Sequence, residues 1–304
     1  MAALLFKRVV ESIFSLVCLV CAVFVVARMT GDPGKLYLPV TATDQMISDF
    51  NKLHGFDQPI WKQFIDFAIG LLRLDFGASL RRQQPALNVV LEAYPTTLQL
   101  VSVTILLALI IGVILGSLAA FRPRSIFDRM ATSLAVSAAS FPDFWMALMG
   151  VLIFSVALHW LPTSGTGTPL HWILPLLVLI MRPLGSLVQV VRGSMIEALS
   201  SPYVEAARGR GTPPVRVIFL HALRNAAIPA ITVLGVQTAG ILNGAVVVET
   251  IFGWPGIGRL MINAIFDRDF AVVQAAVVVT ALAIFLLNIV IDILYGVIDP
   301  RVRT

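Results

Sequence analysis

Six stretches of the chain are apolar over the roughly 20 residues that an α-helix needs to cross a bilayer: 9–27, 98–121, 130–158, 172–191, 226–248 and 271–298. The second and fifth contain no charged residue. Lys7 and Arg8 precede the first as they would in a secretory leader, but no small-residue cleavage site follows Val26, so this run reads as a retained helix. The pattern predicts an all-α integral membrane protein with six transmembrane helices.

Two segments break the apolar pattern. After the first span, residues 28–97 open on the turn cluster Gly31, Asp32, Pro33, Gly34 and continue with mixed composition at helical spacing: Ile60, Phe64, Phe67, Leu71 and Leu74 return on one face. Short amphipathic helices lying on the outer membrane surface are expected here, because the segment is too short to bury much core alone. The chain thus divides into 1–97, a span with its extracytoplasmic segment, and 98–304, a core of five spans. The second interruption, at about 201–225, is arginine-rich. Ser201 and Pro202 have the cap-then-proline order of a helix start, Glu205 suits the first turn, Gly209 and Gly211 break the helix, and Thr212 with Pro213 start another. This is a helix, a glycine elbow and a second helix.

Composition agrees with the pattern. The chain is 58% hydrophobic and 13% charged, with a mean hydropathy of +0.90, too few charges for a water-soluble surface. Positive loops stay cytoplasmic. Lys7, Arg8, Arg122, Arg124, Arg129, Arg192, Arg208, Arg210, Arg216, Arg224, Arg301 and Arg303 all fall on one side, and the short loops opposite hold only Arg259 and Arg268. Both termini are therefore expected on the cytoplasmic side of the membrane. Basic inner loops account for the net charge of +5, so no nucleic acid is implied.

Charges inside spans are costly, roughly 2.5–3.5 kcal/mol each on insertion scales. Asp143 beside Pro142, Arg182 beside Pro183, and Asp292 must each face protein or water. For Arg182, a water-filled pathway and an intrabundle ion pair both remain open. Gly112 with Gly116 and Gly240 with Gly244 have the spacing of helix-packing faces. Cys18 and Cys21 have a C-x-x-C spacing but no further ligands near them, so they read as small apolar residues and no metal is expected. His54, His159, His171 and His221 fall in loops or at span edges, and neither an H-E-x-x-H nor a G-x-S-x-G motif occurs, which argues against an intramembrane hydrolase. An ion-coupled transporter would need paired broken-helix repeats, which the chain lacks. A G-x-x-x-x-G-K-[ST] phosphate loop is also missing.

The run EAARGRG followed by HALRNAAIP resembles the EAA signature of bacterial ABC importer permeases, specifically the dipeptide, oligopeptide and nickel subfamily. LDFGASLRRQQPALNVVLEAYPTTLQL, SFPDFWMALMGVLIFSV, LHWLPTSGTG, VVVETIFGWPGIGRL and LYGVIDP extend the likeness over essentially the whole chain. Where the broader signature has Ile-x-Leu-Pro, this chain has His221, Ala222, Leu223, Arg224, a form that the subfamily shares. The resemblance implies the MetI-like fold of a type I ABC importer permease with cytoplasmic coupling helices. It implies contact with an ATPase subunit through Tyr203, Glu205, Ala206, Ala207, Arg208, Gly209 and Gly211, and a location in the bacterial cytoplasmic membrane. Glu249, Thr250 and the GWPGIG loop with Trp254 stand where the fifth span emerges, and the loop's three glycines and proline suit either an outer gate or a plain connection to the next helix. Arg182, the candidate for the translocation path, departs with Pro183 from the subfamily's pattern. The implied partners are a second homologous permease, two ATPase subunits, an extracytoplasmic substrate-binding protein and the lipid membrane. The chain would bind no cofactor and catalyse nothing itself, ATP and Mg being used by the ATPase subunits. Di- or oligopeptides are the implied cargo, with nickel chelates or glutathione as alternatives.

Overall fold

The computed structural model describes residues 2–29, 31–39, 41–79, 81–213, 216–217 and 223–298. In chain order its elements are α1 (Ala2–Met29), α2 (Pro33–Tyr37), α3 (Asp44–Leu53), α4 (Ile60–Leu72), a two-residue ladder of β1 (Ala78–Ser79) antiparallel to β2 (Gln84–Pro85), α5 (Ala86–Phe121), α6 (Ile126–Ser140), α7 (Asp143–Gly150), α8 (Leu170–Leu199), α9 (Pro202–Gly209), α10 (Leu223–Ile251), α11 (Ile257–Phe266) and α12 (Phe270–Ile298). A wider π-helical stretch, Val151–Ala157, continues α7. Among the described residues, five helices (in α1, α5, α8, α10 and α12) are long and apolar enough to cross a membrane.

The third apolar run is a bent pair of helices, and counted as one broken span it brings the total among the described residues to the expected six. It is split into α6 and α7, bent by 102°. The cause is local: a proline's ring disfavours the helical conformation in the residue before it, and Phe141 takes φ −83°, ψ 140°. Pro142 then opens α7, whose first turn carries Asp143 at the positive end of the helix. Pro175 and Pro183, by contrast, do not interrupt α8, and α5 starts at Ala86, well before its apolar run, passing through Pro95.

The described chain forms two compact units. One comprises Met1–Pro95 and Arg259–Ile289. In it, α4 turns Phe64 and Phe67 onto Phe24 of α1, with ring centroids 5.2 and 5.6 Å apart. Leu74 lies past the helix end at φ 57°, so the expected apolar face stops at Leu71. Tyr37 donates to the Arg268 carbonyl (2.6 Å) and accepts from the Phe270 N–H (3.1 Å), and burial pushes its phenol up to about 12.

The other unit comprises Thr96–Gly258 and Val290–Thr304, and α8 is its central element, packed along α6 and α10. Leu187, Val191 and Met195 of α8 join Ala226 and Ala230 of α10 in the core. Gly112 and Gly116 of α5 form the expected packing face: a Cβ there would stand 2.7 Å from the Leu187 Cβ and 2.8 Å from the Val191 Cβ. The second glycine pair behaves differently. A Cβ on Gly240 would meet nothing nearer than Gln237, 3.9 Å away on the same helix, and one on Gly244 would come within 3.0 Å of the Asp143 carboxylate.

Gly116→Leu is therefore expected to destabilise the protein by about 1–3 kcal/mol through overpacking, lowering the thermal midpoint in detergent. Gly240→Ala should be neutral or mildly stabilising, since a helix gains from losing a glycine where space exists.

Candidate coupling surface and intramembrane polar site

The insertion after α8 begins as its sequence suggests but with a different use of Ser201. The Ser201 hydroxyl donates back to the Ala198 carbonyl, fastening the end of α8, and only its carbonyl starts α9, accepting from the Val204 and Glu205 N–H groups at 3.0 and 3.2 Å. Serine readily makes such back-bonds three residues earlier, which competes with side-chain capping. Gly209 stays in the helix. The break falls at Gly211, whose φ of +74° is costly for any residue with a Cβ, and the Thr212 N–H reaches back to the Ala207 carbonyl (3.2 Å) to close the helix end. Of the expected second helix, the Val217 N–H bonds the Pro213 carbonyl at 3.1 Å. Residues 214–215 and 218–222, with His221, lie outside the described residues.

The short helix has two distinct faces. Val204 and Ala207, one turn apart, are buried, and Val204 belongs to the same core cluster as Met195 and Leu199. Tyr203, Glu205, Ala206, Gly209, Arg210 and Gly211 are exposed. The Arg208 side chain lies outside the described residues, as does that of Asp292. Ala207 thus anchors the helix, and Ala206 with Gly209 makes the flat part of the open face.

At the opposite end of α10, the GWPGIG turn is held by a buried carboxylate. Glu249 is 0% exposed. It accepts from the Thr97 hydroxyl (2.6 Å) and from the Gly258 N–H (2.7 Å), while Thr97 accepts from the Ile257 N–H (2.8 Å). The first N–H groups of α11, which no helix turn can satisfy, are in this way capped by Glu249 and Thr97. The approach requires glycine: a Cβ on Gly256 would stand 2.2 Å from the Glu249 carboxylate, and one on Gly258 would stand 2.4 Å from the Val246 Cα. Trp254 is 1% exposed and packs edge-on against Trp172 at 4.6 Å. Thr250 is exposed, its hydroxyl donating to the Val246 carbonyl. Of the four residues expected near the gate or path, Glu249 and Trp254 are core members that hold the turn, and Arg182 and Thr250 are exposed.

Arg182 and Asp143, both isolated charges in the sequence, meet in the bundle at 3.5 Å. Gly244 of α10 leaves the room that the Asp143 carboxylate fills. A second pair was not anticipated at all. Arg192 of α8 grips Asp128 of α6 through two nitrogens, and Asp128, 2% exposed, also accepts from the Arg124 N–H at 2.8 Å. One signal for it existed: Asp128 is the only carboxylate of the arginine-rich stretch 122–129. Cys18 and Cys21 are free thiols, and no group of three His, Cys, Asp or Glu side chains among the described residues could hold a metal ion.

Residues 112–304 match the family described as binding-protein-dependent transport system inner membrane component. The chain is 37% identical to the di/tripeptide transport system permease protein of Pseudomonas aeruginosa (strain UCBPP-PA14), over 90% of each chain. It is 35% identical to the glutathione transport system permease protein of Escherichia coli (strain K12), over 98% of this chain and 97% of the relative. A dipeptide transport system permease protein of the same organism is 38% identical over 82% of this chain and 83% of its own. A solved structure described as an amino acid ABC transporter with histidines superposes with a TM-score of 0.51 at 17% identity, covering 70% of this chain and 94% of that one, which speaks for the fold.

Two predictions follow from these geometries. Thr97→Val, which leaves the Ile257 N–H and one Glu249 oxygen without the hydroxyl, should cost about 1–3 kcal/mol, read as a lower thermal midpoint. Asp128→Ala should cost about 3 kcal/mol, at the low end for an orphaned buried charge because Arg192 is partly exposed. Adding Arg192→Leu should recover part of that loss, a coupling that a double-mutant cycle measures directly.

Proposed function

The chain belongs to the family of binding-protein-dependent transport system inner membrane components, and on that premise we propose that it serves as the permease subunit of an ATP-driven importer for di- and oligopeptides or similar small peptide-like solutes. The observation that carries this reading is the near full-length similarity to permeases named for di/tripeptide, dipeptide and glutathione transport. Glutathione is itself a small peptide, so the relatives converge on one substrate chemistry. Nickel chelates stay a secondary candidate on the sequence resemblance alone.

Energy comes from partners in this proposal. With no phosphate loop in the chain, ATP and Mg are bound and used by two ATPase subunits, and α9 is the surface on which one of them docks. Its exposed face of Tyr203, Glu205, Ala206 and Gly209 has small side chains at its centre, so a partner can approach the backbone, and charged groups at its edge to set orientation. Its buried face ties it to the core through Val204 and Ala207, and Ser201 ties it to the end of α8. Movement of α9 when the ATPase pair closes is then passed to α8, which packs against α6, α7 and α10. A two-state permease biased by differential partner binding follows. A second homologous permease completes the path, an extracytoplasmic binding protein delivers the solute, and the arginine distribution supports a cytoplasmic side for both termini and α9 at the inner membrane.

Purification of the tagged chain in mild detergent should recover a phosphate-loop ATPase and a second permease, identified by mass spectrometry. Ala206→Trp should leave the chain inserted and folded yet lower substrate-stimulated ATP hydrolysis by about tenfold or more, as a bulky group does at the centre of a tight interface. A helix that merely rests on lipid headgroups would accept tryptophan readily, so unchanged hydrolysis in the assembled complex would sink the docking role.

A further inference from the structure

Helix α8 carries two arginines paired with carboxylates, and the pairs are built differently. Arg192 holds the buried Asp128 through two nitrogens, with a backbone N–H completing the carboxylate's shell. Arg182 meets Asp143 through one contact, Nη2 to Oδ2 at 3.5 Å, with its own side chain 51% exposed and that of Asp143 19%. A pair that serves to hold helices gains by closing tightly in bidentate geometry. The mid-bundle pair does neither, and it sits within an apolar helix where an ionised group must face protein or water.

The surroundings extend the polar surface. Ser186 and Gln189 follow Arg182 at the fourth and seventh positions along α8, the spacing of one helix face. Ser186 accepts a hydrogen bond from Gln237 of α10 at 2.7 Å. On the far side of the pair, Gly244 makes room for the Asp143 carboxylate. The result is a positive and a negative charge side by side, with Ser186 and Gln189 on the same face of α8 as the arginine.

We propose that Arg182 and Asp143 form a contact station for the two ends of a zwitterionic peptide, the guanidinium receiving the solute's carboxylate and the Asp143 carboxylate its ammonium group; this rests on the importer reading above. The planar guanidinium fork matches a carboxylate with two parallel hydrogen bonds, and Asp143 leaves that fork unfilled. When no solute is present the two residues pair with each other, so neither charge is stranded. A station that can satisfy itself holds its cargo loosely enough to let it pass, as a transport site must.

The test uses the complex with its partner subunits in proteoliposomes, saturating binding protein, and labelled dialanine as the probe. Arg182→Gln with Asp143→Asn removes both charges and strands neither. The double variant is expected to assemble with its partners yet take up dialanine about tenfold or more slowly. If the single Arg182→Gln variant is slow and the double variant is restored, the pair is structural and the proposal is overturned. A second variant, Arg182→Cys with Cys18→Ala and Cys21→Ala, is treated with cationic or anionic methanethiosulfonate reagents. Recovery of uptake with the cationic reagent alone is expected, and no reaction, or equal uptake with both, overturns it. Loss of the second permease on Arg182→Gln would reassign the arginine to a subunit contact and overturn it too. Failure of the unsubstituted complex to take up dialanine removes the dipeptide reading of the importer and this inference together; uptake unaltered by the substitutions removes this inference alone.

Discussion

An ionised side chain inside an apolar bundle has to meet an opposite charge, a hydrogen-bonding backbone group or water, and this requirement orders the larger unit of the protein. Glu249 meets it with the Thr97 hydroxyl and the start of α11, so a carboxylate at full burial becomes the fastening of the GWPGIG turn. Asp128 meets it with Arg192 and the Arg124 N–H, which joins α6 to α8. Asp143 meets it with the half-exposed Arg182 and with the helix end that Pro142 creates. Each solution ties two elements together, and the looseness of the last one sets it apart.

Close backbone approach is the second constraint, and it works with the first. Gly112 and Gly116 let α5 lie on Leu187 and Val191, Gly256 and Gly258 let the turn reach Glu249, and Gly244 admits the Asp143 carboxylate. Helices in lipid gain little from hydrophobic exclusion against one another, so contact quality has to come from such small residues. One consequence is an α8 packed into the core along much of its length, with α9 attached at one end and Arg182 near its middle. The proposed docking surface and the proposed solute contact thus share one helix.

Much of the architecture was legible from local chemistry. Apolar run length located the spans, and the cap-then-proline order located the start of α9 at Pro202. Where expectation and structure differ, the differences have local causes as well. The third run is continuous in hydropathy but is broken at Phe141 by the proline that follows it. The helix of the second span extends back to Ala86 because the residues before the apolar run, though polar in part, can continue a helix through Pro95. Ser201 was expected to cap with its side chain, and its hydroxyl instead found the carbonyl of Ala198.

The candidate sites divide along the same line. By itself, the sequence determined that the chain spans a membrane, that it lacks a phosphate loop, that an arginine-rich elbow around Gly209 and Gly211 interrupts the spans, and that its motifs are those of an importer permease. Those properties depend on composition and on neighbours a few residues apart. Only the tertiary structure decided that Ala206 faces out while Ala207 faces in, that Glu249 and Trp254 are core, and that Asp128 belongs to Arg192, which lies 64 residues away. Charge pairing and burial are properties of packed surfaces, and helix periodicity says which residues share a face without saying which face another helix will cover.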